Sequence, residues 1–179
     1  AVRALDEIID HQDYPVKAAE VSTKARRSLG IGYIGLAHYL AKNGVKYSDK
    51  EAWAMVDRLS EAFQYYLLRA SCDVAEEKGK CEYFHRTKYA EGLLPIDHYK
   101  KEIDEIVPHK QRMAWETLRK DIAKHGLRHS TLSAQMPSES SSVVSNETNG
   151  IEPPRAILSS KTSKKGPLKQ IVPGYPTLK

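Results

Sequence analysis

Cysteine is scarce in this 179-residue chain: Cys72 and Cys81 are the only two. Two cysteines cannot build a disulfide framework, and their spacing is not that of a metal site, so a reducing, cytoplasmic compartment fits best. Long apolar runs are missing too. No stretch approaches the ~18 residues that cross a bilayer. The opening AVRALDEIID is amphipathic and acidic, unlike a signal peptide. The seven histidines are scattered. There is no H-E-x-x-H, no G-x-S-x-G and no Cys/His arrangement, which removes the usual metallohydrolase and nucleophilic-hydrolase signatures. An initiator methionine is also lacking, and the helical pattern is already under way at Val2. The expectation is a piece of something larger.

What is present is ordinary globular composition, 40% hydrophobic and 28% charged, in a length that suits about one domain. The net charge is +5. Much of the excess lies in Lys161, Lys164, Lys165, Lys169 and Lys179, and the remainder alternates with acids as on solvated helix faces, so direct nucleic-acid binding is not indicated.

Hydrophobic periodicity predicts a helix over 2–10, with Val2, Leu5, Ile8 and Ile9 on one face. A polar stretch follows Tyr14-Pro15. Residues 28–43 read as a short extended segment entering a helix that stops at Asn43-Gly44. Ser48 and Glu51 form a capping-box pattern before a long helix over about 49–78, ended by Gly79. Residues 81–95 read as a loop with aromatic anchors. Helices are expected over 95–106 and 110–125, the latter stopped by Gly126. From 128 the character changes: a buried strand or extended segment over 128–136, a short helix over 138–145, and strands over 155–162 and 168–173 around Ser163-Lys164-Lys165-Gly166.

Several motifs have unremarkable readings. Gly30-Ile31-Gly32-Tyr33-Ile34-Gly35 matches G-x-G-x-x-G. It lacks a clear preceding strand, however, and Asp49 and Glu51 sit at a helix start, so close packing explains it better than a dinucleotide site. Asn146-Glu147-Thr148 is a glycosylation sequon without meaning in a reduced compartment. Tyr65 and Tyr66 are neighbours on a helix and point to different faces, so one packs in the core and the other in a groove.

The stretch MPSESSSVVSNETNGIEPPR, residues 136–155, is different. After Pro137, five of the next eight residues are serine. A helix start has unpaired N–H groups and a positive dipole end, which together suit a phosphate. Small residues let the phosphate approach, and hydroxyls add donors. A plain capped helix fits the same residues equally well on this physics.

Residues 130–142, STLSAQMPSESSS, and 145–155, SNETNGIEPPR, resemble the large (alpha) subunit of class I ribonucleotide reductase. Arg27-Ser28-Leu29-Gly30-Ile31-Gly32, Gln64-Tyr65-Tyr66-Leu67-Leu68 and Gly126-Leu127-Arg128 extend the resemblance over the whole chain. It implies an α/β fold, a segment of a ten-stranded α/β barrel. In this chain that segment would be mostly helical over 1–127, with strand, phosphate loop and turn over 128–155 and a β-hairpin over 156–179. It implies reduction of ribonucleoside diphosphates to deoxyribonucleotides by radical chemistry. It assigns Ser138, Glu139, Ser140 and Ser141 to the substrate diphosphate, held through backbone N–H groups. The implied partners are the rest of the large subunit, a metal-containing, radical-generating small (beta) subunit, and thioredoxin or glutaredoxin as dithiol reductant.

The departures matter as well. The family's Asn-x-Cys-x-Glu loop with its thiyl cysteine does not occur here. The C-terminal tyrosine pair, the swinging cysteines and the N-terminal cone are also missing. No catalytic residue, metal ligand or cofactor is therefore assigned to this segment, Cys72 and Cys81 are read as structural, and the segment alone is expected to be inactive. Glu147 stands where the family usually has a small residue. The competing class is a non-enzymatic basic helical adaptor or nucleic-acid-binding module, which needs a basic groove with interleaved aromatics; the sequence shows no such clustering.

Overall fold

The computed structural model describes residues 1–108, 110–163, 166–175 and 177. They fall into two compact units, Ala1–Ile31 with Val56–Ala134, and Gly32–Met55 with Gln135–Lys179. Helices α1 (Val2–His11), α2 (Lys17–Arg26), α3 (Leu36–Lys42), α4 (Lys50–Lys78), α5 (Trp115–His125) and α6 (Glu139–Ser145) precede strands β1 (Leu158–Ser163) and β2 (Gly166–Ile171). Among the described residues no helix is long and apolar enough to cross a membrane.

The first unit is built on α4. Its buried stripe is Leu67, Leu68 and Cys72, which meet Val2 of α1, Trp115, Leu118 and Ile122 of α5, and Leu127 and Leu132 beyond it. Leu68 and Leu118 are fully buried, and burial of such a side chain stabilises by ~1.5–3 kcal/mol. Tyr65 packs edge-to-face on Trp115 with centroids 5.3 Å apart, while Tyr66 is exposed. In α1 the buried residues are Val2, Asp6 and Ile9. Ile8, expected inside, points outward, and a carboxylate takes the inner face instead.

Several expected elements differ, each for a local reason. The polar stretch after Tyr14-Pro15 is the helix α2; Glu20 pairs with Lys17 and Lys24 one turn away on either side. Ser48 is not the N-cap of α4. Trp53 N–H donates to Asp49 O, and Asp49 Oδ2 accepts from Lys46 N–H at 2.9 Å. The expected helix over 95–106 is two 3-10 turns, Pro95–Asp97 and Lys101–Glu105. Asp97 Oδ2 takes the Leu94 N–H at 2.6 Å, closing the first turn after three residues. Helix α5 begins only at Trp115 because Glu61 Oε1 captures the N–H groups of Arg112 (2.7 Å) and Met113 (3.1 Å) and the Trp115 indole N–H (3.0 Å).

The expected strand or extended segment over 128–136 does not form a regular strand: it bends at Arg128 and Ser130 and, among the described residues, makes one parallel bridge, Ile31 to Ser133. Its links to residues 29–31 are Leu29 N–H to Thr131 O, Ile31 N–H to Leu132 O and Ala134 N–H to Ile31 O. Gly30 lies in this contact, where an added Cβ would be 3.4 Å from Ala134 Cβ.

In the second unit, Leu36, Leu40, Val45, Ala52 and Met55 are buried. Strands β1 and β2 form an antiparallel hairpin with Leu158 opposite Ile171 and Ser163 opposite Gly166. Lys164 and Lys165, expected at the turn, lie outside the described residues. Ile157, Leu158, Leu168 and Ile171 are about half exposed on this hairpin.

Candidate functional site

The serine-rich stretch folds as a short loop and helix in the second unit. The Ser138 N–H donates to Asn149 Oδ1 at 2.5 Å, which ties the start of the loop to the Asn149-Gly150 turn. Gly150 is left-handed (φ +79), and an added Cβ would lie 3.4 Å from Met136 O, so the turn and the chain entering the loop run close together. Ser138 precedes α6, but its side chain makes no capping bond; its carbonyl accepts the first helical bond, from Ser142 N–H.

The hydroxyls divide into two sets. Ser142 Oγ donates to Glu139 O at 3.0 Å and Ser145 Oγ to Ser141 O at 2.8 Å, so both turn back onto their own helix. Ser140 and Ser141 are exposed. Their backbone N–H groups have no partner among the described residues, as the first turn of a helix dictates.

The far end of α6 is fastened firmly. Asn146 adopts the left-handed conformation (φ 52). Asn146 N–H bonds Val143 O and Glu147 N–H bonds Ser142 O at 2.8 Å, a Schellman closure. Glu147, expected to make this turn less regular, does not disrupt it. Its carboxylate accepts from His38 Nδ1 at 2.9 Å on both oxygens. Its carbonyl accepts from Gln170 Nε2 at 3.4 Å, and the next carbonyls, of Thr148 and Gly150, accept from the N–H groups of Gly35 and Leu36. Gly35 is left-handed (φ +76), and a Cβ there would be 2.7 Å from Glu147 Oε2. This contact, and not a cofactor, accounts for the last glycine of the G-x-G-x-x-G run.

A cavity of about 240 Å³ beside this turn is lined by Glu139, Glu147 and Glu152, with Arg155 as the one arginine or lysine among the described residues lining it. Three carboxylates make it a poor host for phosphate, and neither Ser140 nor Ser141 lines it.

The first unit holds a constellation with the outline of a hydrolytic triad. Ser71 Oγ is 2.8 Å from His129 Nδ1, and His129 Nε2 is 3.2 Å from Asp6 Oδ1. Since a carboxylate only accepts, His129 carries its proton on Nε2 and accepts from Ser71 O–H. All three residues are fully buried, so no substrate reaches them. Asp6 also accepts from Arg27 Nε at 2.6 Å and lies 3.3 Å from Arg128 Nε. The Arg27 and Arg128 cations hold the Asp6 carboxyl below its usual range against the opposing effect of burial. Burial pushes the His129 imidazole down to about 4. The cluster is structural, and sequence reading missed it because its members lie up to 123 residues apart.

Cys72 and Cys81 are free and buried. Burial pushes the Cys72 thiol up to about 11 and raises that of Cys81, so neither is a ready thiolate. Among the described residues no group of three or more His, Cys, Asp or Glu could hold a metal ion.

The chain is similar to known proteins over nearly its whole length. Residues 1–177 match the family described as "Ribonucleotide reductase, barrel domain". The chain is 60% identical over 99% of its length to the ribonucleoside-diphosphate reductase subunit alpha of Haemophilus influenzae, covering 24% of that protein. It is 55% identical to subunit alpha of reductase 1 of Escherichia coli K12, over 93% of this chain and 22% of that one. With subunit alpha of enterobacteria phage T4 it shares 49% identity over 96% of this chain and 22% of the relative. The chain thus spans about a quarter of the length of the curated relatives it matches.

Proposed function

The chain belongs to the ribonucleotide reductase barrel-domain family, and from that membership we propose that it supplies the substrate-diphosphate loop of a ribonucleoside-diphosphate reductase. In this reading residues 1–179 are part of the catalytic ten-stranded α/β barrel: helices over 1–127, strand, loop and turn over 128–155, and hairpin over 156–179. The whole enzyme reduces ribonucleoside diphosphates to deoxyribonucleoside diphosphates in the cytoplasm. The thiyl-radical cysteine and the reducing cysteine pair belong to other parts of the subunit. The radical comes from a metal-containing small subunit, and thioredoxin or glutaredoxin restores the dithiol.

The observation that carries the proposal is the pair of exposed N–H groups of Ser140 and Ser141, without a partner among the described residues, at the positive end of α6. Glu139 and Ser138 flank them. The Ser138 N–H is engaged by Asn149, so Ser138 contributes its hydroxyl rather than its amide. The Asn149 bond, the Schellman closure and the Glu147–His38 contact hold the loop before substrate arrives, which reduces the ordering cost of binding. The adaptor or nucleic-acid-binding alternative has no support from the relatives.

The test compares a ribonucleoside diphosphate with the unphosphorylated ribonucleoside on the full-length subunit. The diphosphate is expected to bind much more tightly in the native protein, and Ser140→Pro is expected to shrink that difference. An undiminished difference in Ser140→Pro contradicts the assignment.

A further inference from the structure

Six arginines of this chain are neutralised by carboxylates: Arg3, Arg27, Arg69, Arg112, Arg119 and Arg128 each form an ion pair. Arg26 and Arg86 are arranged differently. Both guanidiniums lie over the same ring, that of Tyr83, at 5.2 Å and 4.1 Å from its centroid. Neither has a carboxylate partner among the described residues. The ring attracts each cation, but it does not neutralise them, and two like charges gathered on one side chain repel.

These arginines line a cavity of about 410 Å³ in the first unit, together with Lys88 and His98. Among the described residues no carboxylate lines it. Part of its remaining polar wall comes from the segments joined by the Ile31–Ser133 bridge. Ser130 N–H donates to Arg26 O, and Leu29 N–H donates to Thr131 O, which brings Ser28, Ser130 and Thr131 into the wall. Ser28 and Ser130 share one hydrogen bond at 3.0 Å. One of their two hydroxyl hydrogens is therefore left to donate elsewhere. The Thr87 hydroxyl already donates to Phe84 O at 2.7 Å and supplies no donor.

The cavity thus offers two guanidiniums, of which Arg86 spends only its Nε–H on His85 Nε2 at 3.3 Å, with an ammonium and hydroxyl donors and, among the described residues, no competing anion. That is the chemistry that recognises phosphate oxygens, in a volume typical of small-molecule sites. We propose that this cavity binds a phosphate-bearing anion of at least pyrophosphate size, independently of the serine loop in the other unit. The anion neutralises Arg26 and Arg86, which nothing else among the described residues does. Tyr83 serves as the platform that holds both forks before the anion arrives.

The experiment uses the full-length subunit and inorganic pyrophosphate as the probe, by titration calorimetry at low ionic strength. The Ser140→Pro background separates this site from the serine loop. The expected result is a pyrophosphate site that survives Ser140→Pro and weakens about tenfold or more in both Arg26→Gln and Arg86→Gln. Lys88→Gln should weaken it by less. The double variant Lys42→Gln/Lys120→Gln, a larger loss of charge at exposed positions outside the cavity, should leave it nearly unchanged. Circular dichroism and thermal melting confirm that the variants fold; both arginines are exposed, and Lys88→Gln provides a second readout should either variant unfold. Three outcomes overturn the proposal. One is the absence of pyrophosphate binding in the Ser140→Pro subunit, as when another part of the subunit fills the cavity. Another is binding indifferent to Arg26 and Arg86. The third is equal weakening in the Lys42/Lys120 control, which reduces the effect to general charge.

Discussion

His38 Nδ1 donates to both carboxylate oxygens of Glu147, at 2.9 Å each, although 109 residues separate them in the chain. Glu147 follows the Asn146 cap of the helix whose first turn carries the proposed phosphate donors. The pair therefore fastens α6 from its far end, and Gly35 leaves the room for it.

The first prediction concerns that room. Gly35 is left-handed at φ +76, a conformation that costs a residue with a Cβ ~1–2 kcal/mol. Gly35→Ala also intrudes on Glu147. Hydrogen exchange of the α6 amides in the full-length subunit should rise in Gly35→Ala and rise less in Gly35→Asn, since asparagine tolerates this region better. Equal exchange in native protein and Gly35→Ala would show that the contact does not hold the helix.

A second prediction follows from His129. Its ordinary value is 6.5 and burial lowers it to about 4 in the folded chain, so between those values the unfolded state binds the extra proton. Stability is then fully present above about pH 6.5 and is lost as pH falls towards about 4. The loss is on the order of 3 kcal/mol at most. His129→Gln should flatten the dependence of the urea midpoint on pH across this window. An unchanged slope in the variant would place the titration on other groups.

Much of the fold was legible in the sequence, and the failures share a cause. The long helix α4, the stops at Gly44, Gly79 and Gly126, the helix over the serines and the hairpin all follow from periodicity and turn residues, which are local signals. Helix α2 was not legible because Glu20, Lys17 and Lys24 hold it without an apolar stripe. The late start of α5 depends on Glu61, more than 50 residues away. The segment over 128–136 is not a regular strand; its bends at Arg128 and Ser130 and its bridge to Ile31 could not be read from composition. At the candidate site, the helix start and its serines were visible; the Asn149, Glu147 and His38 contacts that hold it were not, because each joins residues distant in sequence.

The cysteines give a third prediction. Cys72 and Cys81 are buried thiols with raised pKa values. Replacing both with alanine in the complete enzyme should leave turnover nearly intact, with at most a modest loss of stability from the lost packing. A fall of several orders of magnitude with the fold preserved would place radical or redox chemistry in this segment.

The central claim is that backbone amides, not hydroxyls, hold the substrate diphosphate, and paired substitutions at Ser140 test it most directly. Ser140→Ala removes a hydroxyl, worth ~0.5–1.5 kcal/mol if it bonds the substrate. Ser140→Pro removes the N–H itself, at a first-turn position where proline is tolerated because that N–H has no helical partner. A lost bond to a charged phosphate is worth ~1.5–3 kcal/mol, or roughly tenfold or more in affinity. Measured as ribonucleoside-diphosphate binding to the full-length subunit, with helix content checked by circular dichroism, Ser140→Ala should bind nearly as the native protein and Ser140→Pro at least about tenfold more weakly. If the two variants bind alike with the fold intact, the loop is not a backbone phosphate cradle.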